Sequence, residues 1–123
     1  MASILLVDDN TLVIAALTDL LEADGHDVIA HEGVASAVAF IEGGTHVDVA
    51  LIDYWLSGET AEQVLVALRR TRPDVAVVLI TGGSETASVE TTRWLGVLDG
   101  IDGFLQKPFL REDLRLLFEK LGL

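Results

Sequence analysis

Short apolar runs alternate with longer amphipathic ones along this chain. Ile4-Leu5-Leu6-Val7 is a continuous apolar run of strand formers that stops abruptly at Asp8-Asp9-Asn10. From Leu12 the spacing turns helical, with Leu12, Ala16, Leu17, Leu20 and Leu21 as the apolar set and Gly25 as the stop. A second strand is predicted over Val28-Ile29-Ala30. Val34, Ala37, Val38 and Ile41 follow at i, i+3, i+4, i+7, one apolar helix face closed by Gly43-Gly44. The third strand runs from Val47 to Ile52 and ends in Asp53. Ala61, Val64, Leu65 and Leu68 repeat the helical spacing, and Pro73-Asp74 separates them from a fourth strand, Val75 to Ile80, ending at Thr81-Gly82-Gly83. A fifth strand over Gly103–Gln106 ends at Lys107-Pro108. The last helix carries Leu110, Leu114, Leu117, Phe118 and Leu121 on one face.

The pattern predicts five strands alternating with five helices. The strands are mostly apolar rather than alternating, as expected where both faces are buried, and the strand–helix alternation implies a parallel sheet with right-handed crossovers. The stretch 85–98 gives the weakest signal: its Thr residues and Gly96 are poor helix formers, and its apolar positions form no clean stripe. Trp94 lies within it and is read as an interface residue. No repeat, low-complexity tract or linker interrupts the chain, so residues 1–123 read as one domain.

Composition narrows the function. Half of the residues are apolar, enough for one sizeable core. With no cysteine, disulfides and thiolate metal sites are excluded. No apolar run approaches a membrane span, and Met1-Ala2-Ser3 shows no basic leader, so a cytoplasmic location without membrane association is expected. The net charge of −12, from 20 acidic and 8 basic side chains, repels nucleic acid, and no basic patch offsets it. His26, His31 and His46 have no metal-ligand spacing and read as solvated or partly packed.

Polar residues gather where strands end: Asp8 and Asp9 after the first, Asp53 after the third, Thr81 after the fourth, Lys107 after the fifth. In an open parallel sheet those ends line the crevice where ligands bind. Three carboxylates there repel one another, and a cation relieves the repulsion. Oxygen-only ligands suit a hard ion, Mg²⁺ first. A carboxylate can also attack phosphorus to form an acyl phosphate, with Lys107 supplying positive charge and Thr81 a hydroxyl. Each feature alone has a plainer reading. Asp8-Asp9-Asn10 could cap the first helix; Asp53 and Thr81 could be turn residues; Lys107-Pro108 could begin a helix in solvent; Phe104 could be a core aromatic.

Leu5-Leu6-Val7-Asp8-Asp9, Leu51-Ile52-Asp53, Ile80-Thr81-Gly82 and Lys107-Pro108-Phe109, in this order and each at a strand end, resemble the response-regulator receiver family of two-component signalling. The resemblance covers essentially the whole chain. It implies a flavodoxin-like (βα)5 fold with strand order 2-1-3-4-5. It implies that Asp53 accepts the phosphoryl group, that Asp9 ligates Mg²⁺ directly and Asp8 partly through water, and that the Trp55 carbonyl completes the ligands. Lys107 would pair with the phosphoryl oxygens, Thr81 would move toward them, Phe104 would be the aromatic switch, and Gly82 would keep the site open. A histidine kinase or histidine phosphotransferase would be the donor. An unidentified output protein would bind near the fourth helix, fifth strand and fifth helix. The protein would be a phosphoacceptor rather than an enzyme, monomeric or weakly dimeric, and either a stand-alone regulator or the receiver of a hybrid kinase.

Two departures stand out. The loop after Asp53 reads Leu56-Ser57-Gly58-Glu59-Thr60-Ala61 where the family usually has Met-Pro and a later Gly. The stretch from Thr81 to Lys107 is a few residues longer than usual, the excess falling near 98–102. The main alternative function is a phosphorylation-independent adaptor on the same fold, which the intact acidic set and Lys107 oppose. A phosphatase of another doubly wound family would need a cap for which the chain has no room. A flavin protein would carry Ser, Thr and Gly where Asp8-Asp9-Asn10 stands.

Overall fold

The computed structural model describes residues 2–53, 55–56, 59–81, 101–107 and 109–123, with the backbone alone at 55–56, 59–60 and 81. Five parallel strands form one sheet: β1 (Ser3–Val7), β2 (Asp27–His31), β3 (Val49–Asp53), β4 (Ala76–Thr81) and β5 (Gly103–Gln106). Their order across the sheet is β2-β1-β3-β4-β5, the 2-1-3-4-5 arrangement. Four helices are described: α1 (Thr11–Ala23), α2 (Val34–Glu42), α3 (Glu62–Thr71) and α4 (Arg111–Lys120). The stretch 85–98, with Trp94 and the expected additional helix, lies outside the described residues, as does Gly82.

Strand periodicity divides the core in two. Leu5, Val7, Ala50, Ile52, Val77 and Leu79 point to one face, where Val34, Ala37 and Ile41 of α2 and Val64, Leu65 and Leu68 of α3 cover them. Ile4, Leu6, Val49, Leu51, Val78, Ile80 and Leu105 point to the other, against Leu17 and Leu21 of α1 and Leu114 and Phe118 of α4. Fully buried leucines such as Leu6 and Leu51 each contribute about 1.5–3 kcal/mol by leaving water.

Two predicted helix stripes need correction. Leu12 is 79% exposed and Ala16 is exposed, so α1 buries Leu17 and Leu21 with Val13, Ile14 and Leu20 partly covered. The first apolar residue of the pattern sits in the opening turn, beyond the reach of the core. Leu110 is likewise 73% exposed, because it is the N-cap of α4 and not part of its buried face. Its N–H donates instead to Asp113 Oδ2 at 2.7 Å.

The histidines are partly packed or solvated, as the sequence implies, and each has a neighbour. His26 Nδ1 accepts the N–H of Ala2 at 3.0 Å and meets Phe118 edge-on. His31 is half-buried against Phe40, and His46 Nε2 lies 2.9 Å from Asp48 Oδ1.

Candidate functional site

Parallel register brings the strand-end residues together. Val7 aligns with Ile52, Asp53 with Ile80, and Thr81 with Gln106. Asp8, Asp53, Thr81 and Lys107 therefore stand at the carboxyl edge of four neighbouring strands. Asp8 and Asp53 are buried, and Asp9 is half-buried between β1 and α1. One carboxylate oxygen from each of Asp8, Asp9 and Asp53 lies within 4.8 Å of the others.

The loop after β1 resolves the capping alternative. Asn10 is the N-cap of α1: its Oδ1 accepts from Leu12 N at 2.9 Å and Val13 N at 3.3 Å. Capping by Asn10 releases the two aspartates for other work. Asp8 is fixed from both sides, its N–H donating to His31 O at 3.1 Å and its Oδ1 accepting from Asn10 N at 2.8 Å.

Lys107 Nζ lies 3.3 Å from Asp8 Oδ2 and 3.3 Å from Asp53 Oδ2. Its contact with Asp53 is a hydrogen bond. The contact with Asp8 is an ion pair, and among the described residues the buried Asp8 Oδ2 has no hydrogen-bond donor. Burial pulls the Lys107 pKa down, but the charges of Asp53 and Asp8 outweigh it and leave it raised. One lysine thus faces at least two carboxylates at contact distance. A buried carboxylate oxygen without a donor, in a set of three oxygen ligands, fits a hard cation and does not fit a soft one.

The other expected residues fall nearby on the chain. Trp55 follows β3 and pairs with Thr60 in a short antiparallel hairpin, Trp55–Leu56 against Glu59–Thr60. Two residues on each side leave no periodicity by which the sequence could announce this pairing. Phe104 aligns with Leu79 in the edge strand β5 and is 41% exposed, so it is not a core aromatic. It shares an open groove with Gln106, Lys107, Asp113 and Leu116. The pairing of Lys107 with Asp8 could not be read from the sequence, because nothing local to either residue signals the other.

Comparison with known proteins agrees with this geometry. The family model of the response regulator receiver domain matches residues 4–119. The transcriptional regulatory protein CpxR of Escherichia coli K12 is 35% identical over 115 residues, which cover 93% of this chain and 46% of that protein. A CheY-like response regulator receiver domain protein from Methanospirillum hungatei JF-1 superposes with a TM-score of 0.78 at 26% identity, covering 99% of this chain and 98% of its own. A receiver domain protein from Clostridium thermocellum gives a TM-score of 0.82 at 22% identity over 99% of this chain and 95% of its own, a likeness of fold. The chain belongs to the response regulator receiver domain family of two-component signalling. It spans about half the length of CpxR. Among the described residues no helix is long and apolar enough to cross a membrane.

Proposed function

We propose that Asp53 accepts a phosphoryl group from a phosphohistidine of a histidine kinase or histidine phosphotransferase, and that the modified site resets a partner-binding surface. The observation that carries this reading is the Asp53 carboxylate, buried at a strand end beside two further aspartates with Lys107 Nζ 3.3 Å away. An Asp53 carboxylate oxygen attacks phosphorus, the phosphorus–nitrogen bond of the donor breaks, and the imidazole leaves with the electron pair. Mg²⁺, when bound by Asp8, Asp9, Asp53 and the Trp55 carbonyl, supplies charge neutralisation for the phosphoryl oxygens. Lys107 begins as the counter-charge of Asp8 and Asp53 and becomes the counter-charge of the phosphoryl group.

Thr81 closes the chemistry with a hydroxyl donor and couples it to Phe104, the switch aromatic. The exposure of Phe104 and its shared groove with Lys107 and Leu116 support a surface on β5 and α4 that reads the state of the site. The unit is a single receiver domain over 1–123, a phosphoacceptor rather than an enzyme. It works in the cytoplasm as a stand-alone regulator or as part of a hybrid kinase, as a monomer or weak dimer, without contacting nucleic acid or membrane. Incubation with Mg²⁺ and a small phosphodonor, read by intact mass, tests this. One added phosphoryl group is expected in the wild type and none in Asp53→Asn; equal labelling of the two would overturn it.

A further inference from the structure

The charge of the chain is placed unevenly. Residues 1–68 contain twelve Asp and Glu and no Lys or Arg; residues 69–123 contain the other eight acids and all eight bases. The net charge of residues 1–68 is therefore −12, although Asp8, Asp24, Glu42 and Asp53 of that part face Lys107, Arg111 and Arg70 of the other; Asp27 and Glu32, beside β2, are not among those paired acids. On that side β2 is the outermost strand, and among the described residues nothing pairs with its outer edge.

The backbone of β2 shows which groups face outward. Asp27 N donates to Ala2 O at 2.9 Å and His31 O accepts from Asp8 N at 3.1 Å, so both residues turn their polar groups toward β1. The two-residue period of a strand puts Ile29 with them and turns the N–H and C=O of Val28 and Ala30 away from the sheet. Ile29 is 40% exposed and Ala30 is exposed beside it. Sheet edges are usually guarded by Lys, Pro or a bulge. This edge has none of these, and its flanking charges, Asp27 and Glu32, are both acidic.

We propose that the outer edge of β2 takes a basic, extended segment of a partner protein as an added strand. The backbone of Val28 and Ala30 supplies two donors and two acceptors, Ile29 an apolar contact, and Asp27 and Glu32 the preference for Lys or Arg. A second copy of this chain is disfavoured there, because its own β2 would bring acid against acid.

The probe is the capped peptide Lys-Val-Lys-Val-Lys-Val-Lys, titrated into the ¹⁵N-labelled chain. Saturable amide shift changes centred on 27–32 are expected. The same peptide with its central Val replaced by Pro keeps its charge but loses a strand donor. It should bind about tenfold more weakly. Ala30→Pro in the chain removes an outward N–H without touching the β1 ladder and should weaken the Val peptide similarly. A Glu-Val peptide of the same length should not bind. The proposal is overturned if the Pro and Val peptides bind alike, if the Glu peptide binds as well as the Lys peptide, if shifts spread over acidic residues of α1 and α2 without saturation, or if nothing binds.

Discussion

Asp8 and Asn10 lie two residues apart and do different work. Asn10 satisfies two N–H groups of α1, so Asn10→Ala is expected to cost about 1 kcal/mol of stability, read as a lower denaturation midpoint. No loss would mean that water or Asp9 caps the helix equally well. Asp8 belongs to the charge cluster, where Lys107 opposes it and Asp53. Removing that lysine makes the cluster more attractive to a divalent cation. Lys107→Ala is therefore expected to gain more thermal stability from Mg²⁺ than the wild type does, measured by Tm with and without the ion. A smaller gain would contradict Lys107 as the resident counter-charge. Away from the site, the Ser3 N–H at 2.8 Å lowers the Asp48 pKa; burial opposes this and His46 reinforces it. The stability it contributes is fully present above the unfolded carboxylate value of about 3.9 and is lost as pH falls through the lower folded value. Asp48→Asn should flatten the fall of Tm on the acid side relative to the wild type. Parallel acid limbs would show that Asp48 adds nothing there.

At the scale of elements, Gly103 shows how tightly β5 meets α4. A Cβ at that position would sit 2.8 Å from Leu117 Cδ1. Gly103→Ala is expected to cost about 1 kcal/mol by overpacking, and less in a Leu117→Ala background, as a double-mutant cycle would read. Additive effects would mean that Leu117 simply swings aside. The strands were the legible part of the sequence: apolar runs with polar stops gave β5 at its observed bounds and the others within one or two residues. The faces of α2 and α3 were legible as well, because four apolar residues at helical spacing each met the sheet. The ends of α1 and α4 were not. Leu12 and Leu110 continue the apolar pattern, but the helix entry carries them past the edge of the sheet. The pairing of 55–56 with 59–60 was equally hidden, since two-residue strands leave no periodicity to read.

Across the whole molecule, the site was legible because topology does the assembling. Four strand ends in register bring Asp8, Asp53, Thr81 and Lys107 to one edge, and any sequence that specifies the strand order also specifies that meeting. What the order of strands cannot convey is which oxygen is buried or which lysine contact is a hydrogen bond; those depend on side-chain packing. A cation bound only by the folded chain stabilises it by mass action, so Mg²⁺ should raise the Tm of the wild type and much less that of Asp9→Asn. Equal rises would remove Asp9 from the ligand set. The central claim is that the carboxylate of Asp53 becomes an acyl phosphate. Borohydride reduction of the chain after incubation with Mg²⁺ and a small phosphodonor converts an aspartyl phosphate to homoserine, and peptide mass mapping then locates it. Homoserine at position 53 alone is the expected result; homoserine at 8 or 9, or phosphoryl groups on hydroxyl or imidazole side chains with position 53 unchanged, would contradict it.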